Sequence, residues 1–265
     1  MHPILFQWGP ITIRYYGLMY VIAIIVGTYL VKGEIKRKNL PLSEDNLYNL
    51  VLLVFFAGLI GARLFYVIFS LDFYLANPKE IPAIWHGGLA IHGGLIGGFL
   101  AGYWYSKSKK MSFLVMADLF APSIILGQAF GRFGNFMNGD AHGVPTDLPW
   151  GIVFPPNSIA GQQFGQIPLH PVMLYELVLN LIIFITLRKW RLRPAKDGYI
   201  ICLYLIFYSF ARFFVSFFRA DNLMVAGLSV PHLTSLLIIV VVGYFLVSKR
   251  LWVAPVSKNK KEQVR

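Results

Sequence analysis

Seven stretches of this sequence are apolar over roughly the length that crosses a bilayer, and no other feature restricts the fold as much. They fall near residues 12–31, 47–69, 89–106, 112–131, 171–187, 199–217 and 232–248. A helix needs about 20 mostly apolar residues to span the hydrocarbon. The third and fifth stretches are short or broken by glycine, so six crossings is the alternative count. Composition agrees: 57% of the residues are apolar and 14% are charged, where a soluble domain carries about 25% charged residues. Within hydrocarbon every backbone N–H and C=O must be satisfied inside its own segment, which selects helices. The expected fold is therefore all-α: a polytopic membrane protein with about seven transmembrane helices. Residues 1–265 are expected to form a single integral membrane domain.

The formal net charge of +12 raises the possibility of a nucleic-acid partner, but its distribution argues against one. Of the 24 basic residues, 18 follow spans one, three, five and seven. This alternation is the positive-inside rule. It places the N-terminus outside (periplasmic or extracellular) and the C-terminus in the cytoplasm. The basic tail 254–265 is expected to be disordered and to lie on anionic headgroups. Met1–Pro10 has neither a basic n-region nor a small-residue cleavage site, so span one is expected to be retained. The lone cysteine, Cys202, allows no internal disulfide. Two external segments, 70–88 and 132–170, exceed simple turns. The second holds Pro145, Pro149, Pro155, Pro156 and Pro168, and no Lys or Arg after Arg132, which makes it an irregular external segment.

Polar residues at membrane depth carry the functional signal, because intramembrane charges are rare and costly. Topology puts Tyr16, Arg63, His92, Arg132, Asn135, Tyr175, Glu176, Tyr208 and Arg212 at the outer level of six spans. Asp118, in the inner half of span four, is the exception. Taken singly, Arg63 is a candidate for snorkelling and Tyr16 for an interfacial belt residue. The shared level favours a site. Arg63, Arg132 and Arg212 against Glu176 and Asp140 leave one surplus positive charge, which suits a monoanionic phosphodiester. Arginine is the apt residue because its planar fork holds two phosphate oxygens and stays charged. Glycines 87, 88, 93, 94, 97 and 98 surround His92. Close helix packing accounts for Gly94, Gly97 and Gly98, whereas Gly93 is a candidate for close approach of a ligand. No zinc-like ligand spacing occurs beyond Asp140 with His142, and neither a Gly-x-Ser-x-Gly elbow nor a Walker loop is present. No metal is expected. A small-anion transporter or channel is the alternative from another class. It would line a path through the membrane with polar groups, whereas these gather at one level.

The run Gly131–Gly143, GRFGNFMNGDAHG, resembles the signature of bacterial prolipoprotein diacylglyceryl transferases. Tyr15-Tyr16-Gly17-Leu18-Met19-Tyr20, Gly87–Gly94, His170-Pro171 and Leu174-Tyr175-Glu176 resemble further motifs of that family, in order along nearly the whole chain. The resemblance implies transfer of the diacylglyceryl group of phosphatidylglycerol to a lipobox cysteine thiol of a prolipoprotein. A thioether forms, glycerol phosphate leaves, and no cofactor takes part. It implies a multi-pass protein of the bacterial plasma (inner) membrane, acting toward the outer leaflet, with membrane lipid and prolipoprotein as partners and no nucleic acid. By motif position, His92, Arg212, Arg132 and Tyr16 are the catalytic candidates. Arg132, Asn135, Arg63 and Gly143 are the phosphatidylglycerol-binding candidates, with Asp140, Glu176 and Tyr208 in support. Histidine as a residue type titrates near neutrality, which nominates His92 as the base. The family usually has glutamate where this chain has Asp140, and commonly another where it has Ser216. Arg212 then needs a different partner, such as Glu176.

Overall fold

The computed structural model describes residues 1, 3–9 and 11–254; of the basic tail only Ala254 falls among them. The elements are the strands β1 (Ile4–Trp8) and β2 (Ile11–Arg14), followed by helices α1 (Tyr15–Arg37), α2 (Glu44–Phe69) and α3 (Leu71–Ala76). Then come α4 (Ile91–Ser108), α5 (Phe113–Asn138), α6 (Ile159–Phe164), α7 (Val172–Trp190) and α8 (Tyr199–Val215). Strands β3 (Met224–Val225) and β4 (Leu228–Ser229) lead into α9 (Val230–Ser248). Among the described residues, five helical stretches are long and apolar enough to cross a membrane: α1, α2, α5, α8 extended to Phe218, and α9. Helices α4 and α7 occupy the positions of the third and fifth expected spans without meeting that standard. Helix α7 carries Glu176, Arg188 and Lys189, and α4 is rich in glycine.

Two boundaries differ from expectation for local reasons. Residues 11–14 pair antiparallel with β1 instead of opening span one. The run Ile11-Thr-Ile is β-branched, and Gly9 takes a positive φ of 56° before it. Helix α5 continues to Asn138, seven residues past the expected end of span four. Arg132 and Asn135 therefore sit on a helix, one turn apart, and not at the start of a loop.

By contacts the chain divides into two compact units, residues 32–116 and residues 1–31 with 117 onward. In the first unit, α2 and α4 pack through glycine. A Cβ on Gly61 would overlap the Gly93 carbonyl, one on Gly93 would overlap Gly61 and Phe65, and one on Gly97 would overlap Ala57. Close packing of small residues thus explains Gly93 as well. Arg63, buried on α2, donates to the carbonyls of Ile81 (2.8 Å), Gly87 (2.6 Å), Gly88 (2.9 Å), Ala83 (3.3 Å) and Glu80. Gly88 has a φ of 73°, and a side chain there would strike Arg63 and Tyr66.

In the other unit, α5, α7, α8 and α9 share a core that includes Ala121, Ile125, Ile183, Leu187, Ile200 and Leu203. Asp118 is explained here. Its two carboxylate oxygens accept the backbone N–H groups of Gly198 and Ile201, each at 2.8 Å. It caps the N-terminus of α8, where the orphan donors and the helix dipole favour an anion. The external segment is irregular but not loose. Its backbone is tied by the bridges Gly143–Arg219, Pro145–Leu169 and Ile152–Leu169. Phe154, Ala160, Leu169 and Met173 form a small buried core beneath it.

Candidate active site

Three helices of the unit formed by residues 1–31 and 117 onward bring charged groups to one place. Arg132 comes from the last turns of α5, Glu176 from the second turn of α7, and Arg212 from the last turn of α8. Glu176 is the centre, with its side chain only 3% exposed. Its Oε1 accepts from Arg212 Nη1 at 2.8 Å and from Arg219 Nη1 at 2.8 Å. Its Oε2 lies 2.6 Å from Arg132 Nη2. A carboxylate buried to this degree is stable only when paired, and three guanidinium groups converge on this one. The expectation that Glu176 would serve Arg212 in place of a residue at 216 is met by this contact. Ser216 itself donates its hydroxyl proton to the Arg212 carbonyl at 2.7 Å.

A second chain of contacts runs from Arg132 into the glycine-rich turn. Arg132 Nη1 donates to Asn135 Oδ1 at 3.2 Å, and Asn135 Nδ2 donates to Asp140 Oδ1 at 2.6 Å. Asn138 Nδ2 reaches the other Asp140 oxygen at 3.5 Å. The short aspartate reaches its partners because the chain turns sharply after α5, with positive φ at Gly139 (68°) and Ala141 (54°). Glycine is required at 139, where a side chain would meet Ser158. Tyr16 on α1 lies against Gly134, since a Cβ there would come within 2.7 Å of its ring. Its hydroxyl is 3.0 Å from that of Tyr20. Tyr208 stands one turn before Arg212 on α8 and stacks on Tyr204.

Gly143 has a packing reason of its own. Its N–H donates to the His170 carbonyl at 3.0 Å, and a side chain would collide with His170 and with the Phe218 carbonyl. The neighbouring Val144 N–H donates to Phe218 at 2.9 Å. The turn is thereby stitched both to the residues before α7 and to those after α8. His170 is buried; its Nδ1 lies 3.2 Å from the Tyr175 hydroxyl, which accepts from Trp150 Nε1 at 2.8 Å. Burial pushes the His170 imidazole below its ordinary pKa. Among the described residues no three His, Cys, Asp or Glu side chains are grouped closely enough to hold a metal ion.

The family profile of prolipoprotein diacylglyceryl transferase matches residues 3–248. The chain belongs to that family. A relative from Fusobacterium nucleatum, named phosphatidylglycerol–prolipoprotein diacylglyceryl transferase, is 43% identical, over 93% of this chain and 97% of its own length. Relatives of the same name from Staphylococcus haemolyticus and Clostridioides difficile are 39% and 38% identical. The alignments cover 96% and 94% of this chain, and 90% and 97% of theirs.

Of the residues nominated from sequence, Tyr16, Arg132, Asn135, Asp140, Gly143, Glu176, Tyr208 and Arg212 belong to this transferase's unit of residues 1–31 and 117 onward. Arg63 and His92 belong to the other. Arg63 gives its donors to loop carbonyls, and His92 is exposed near the start of α4 beside Phe65. Arg219 and Asp221 were missed. They lie past the end of the sixth apolar run and look like ordinary headgroup-level charges. Only the seven-residue spacing of Arg212 and Arg219, which would be two turns if the helix ran on, hinted at a common face; in the structure α8 ends at Val215 and Arg219 is extended. Their presence corrects the charge count. In this unit the cluster holds Arg132, Arg212 and Arg219 against Glu176, Asp140 and Asp221, which balances formally. Arg219 pairs with Asp221 and Asp140 accepts from amides, so Arg132 and Arg212 are the two guanidinium groups whose carboxylate contact is Glu176 alone.

Proposed function

We propose that this protein moves the diacylglyceryl group of phosphatidylglycerol onto the lipobox cysteine thiol of a prolipoprotein, at the outer leaflet of the bacterial plasma membrane. The observation that carries this reading is the pair Arg132 and Arg212. Each has a side chain 21% exposed, and both converge on one buried carboxylate in a chain of the transferase family. A pair of cations with one shared anion suits a phosphodiester of single negative charge. The sulfur attacks an sp³ carbon of the glycerol backbone, forming the C–S bond of a thioether. The C–O bond to phosphate breaks, its electron pair leaves with glycerol phosphate, and the thiol proton passes to a base. Charge grows on the leaving phosphate, and fixed guanidinium donors stabilise it most in a site with little water.

Arg132, oriented by Asn135 and through it by Asp140, is assigned the headgroup phosphate. Arg212 shares the developing charge, with Tyr208 beside it. Tyr16 borders the same turn. His92 is assigned the thiol proton on its motif position and on imidazole chemistry. For Arg63 and Gly143 the contacts favour holding the backbone over touching the lipid. Helices α4 and α7 are taken as the two further spans, giving seven with the N-terminus outside and the C-terminus inside, in agreement with the placement of the basic residues. The single integral membrane domain is kept. No cofactor is invoked. A small-anion channel has no counterpart among the named relatives.

The test separates the two proposed chemical roles. Arg132→Lys keeps charge but loses the fork, and transfer is expected to fall about a hundredfold at every pH. His92→Gln is expected to lower the transfer rate and to change its pH profile. A His92→Gln protein with wild-type rate and wild-type pH profile would remove histidine from the mechanism.

A further inference from the structure

Arg219 is the most enclosed member of the arginine cluster, with a side chain only 6% exposed. It makes a bidentate pair with Asp221, Nε to Oδ1 at 2.8 Å and Nη2 to Oδ2 at 2.6 Å. Its remaining Nη1 donates to Glu176 Oε1, the same oxygen that accepts from Arg212. Its backbone is bridged to Gly143, and the next residue, Ala220, donates its N–H to the His142 carbonyl at 3.3 Å. The guanidinium is thus fixed on both edges and cannot turn toward a ligand. Burial alone would lower its pKa, but Asp221 and Glu176 outweigh that and raise it.

We infer that Arg219, held by Asp221, is a positioning residue that sets the phosphatidylglycerol preference of the Arg132–Arg212 pair. The inference rests on the transferase reading of that pair. Glu176 carries a single negative charge and faces three guanidinium groups. Arg219 takes a share of Glu176 Oε1 while being neutralised by Asp221, so it adds no net charge. It limits how completely the carboxylate neutralises Arg132 and Arg212, which leaves their donors free to attract an anionic headgroup. Arginine is specifically needed, because its fork can grip Asp221 with one edge and Glu176 with another, which a lysine ammonium cannot do. The backbone bridge to Arg219 brings Gly143 close, and the missing side chain lets the turn pack against His170 and Phe218.

The measurement is the dissociation constant of short-chain phosphatidylglycerol and of short-chain phosphatidylethanolamine, for the purified full chain in detergent. Phosphatidylethanolamine has no net charge and serves as the control. Arg219→Gln leaves Asp221 uncompensated, and is expected to weaken phosphatidylglycerol about tenfold while moving phosphatidylethanolamine less than about threefold. Arg219→Gln with Asp221→Asn restores the formal charge count but not the grip on Glu176 Oε1, and is expected to regain only part of the loss. Equal weakening of both lipids in Arg219→Gln would overturn the inference, as would a double variant with wild-type phosphatidylglycerol affinity. Unchanged phosphatidylglycerol binding in Arg219→Gln would overturn it too. The wild-type protein, tested in parallel for transfer to a lipobox peptide, reports separately on the transferase reading.

Discussion

At the scale of residues, the site is governed by how one buried carboxylate is shared. Glu176 lies where burial would forbid a free charge, and it is held by Arg132, Arg212 and Arg219 at 2.6–2.8 Å. Two of these arginines stay partly open and one is closed, a distinction the sequence does not carry. Arg63, Arg132 and Arg212 look equivalent in the sequence, since each is a lone arginine at the outer end of an apolar run. Only the loop carbonyls around Arg63 separate it from the other two. His170 shows a further effect of burial. Its folded-state pKa lies below the unfolded value of about 6.5, so the unfolded chain binds the extra proton first on acidification. Its contribution is therefore fully present above that value and is lost as pH falls toward the folded pKa. The thermal midpoint in detergent should drop below about pH 6.5, and the drop should be shallower in His170→Gln. Parallel slopes in the two proteins would remove His170 from the acid sensitivity.

At the scale of elements, Asp118 shows how a residue that looks functional in sequence becomes a structural one. Its charge falls within an apolar run, the pattern that marks ion pathways and active sites. In the fold it caps α8, with one oxygen on Gly198 N–H and the other on Ile201 N–H. Helix α8 carries Arg212 at its far end, so this cap fixes the register of a site residue from some distance. Asp118→Ala should cost about 1–2 kcal/mol of stability, measured as a shift in the unfolding midpoint. Asp118→Asn should cost less, because its one carbonyl oxygen still accepts. An unshifted midpoint in Asp118→Ala would contradict the capping role. The glycines of α4 teach the same lesson in reverse. Gly93, beside His92, suggests an approach to ligand, yet its Cβ space is filled by Gly61 and Phe65 of α2. Spacing alone does not distinguish a glycine that admits a helix from one that admits a substrate.

At the scale of the whole molecule, the apolar runs made the helices legible, and the motif from Gly131 to Gly143 made the family legible. The apolar character of a segment reports on the solvent it meets, and the helices follow from that directly, whereas the family followed from the resemblance of the motif. The ends of elements were less legible. Helix α5 runs on to Asn138, and residues 11–14 join a hairpin, because amphipathic termini at the headgroup level satisfy either structure. Arg219 and Asp221 were not visible as site residues, since their importance comes from what the chain folds back against. The central claim is a bond exchange at one carbon of phosphatidylglycerol. The direct measurement is mass spectrometry of a lipobox peptide incubated with the purified protein and phosphatidylglycerol, with no added metal. The account predicts a diacylglyceryl adduct on the cysteine sulfur and one glycerol phosphate released per adduct. An unmodified peptide, or an adduct that keeps the phosphate, would contradict it.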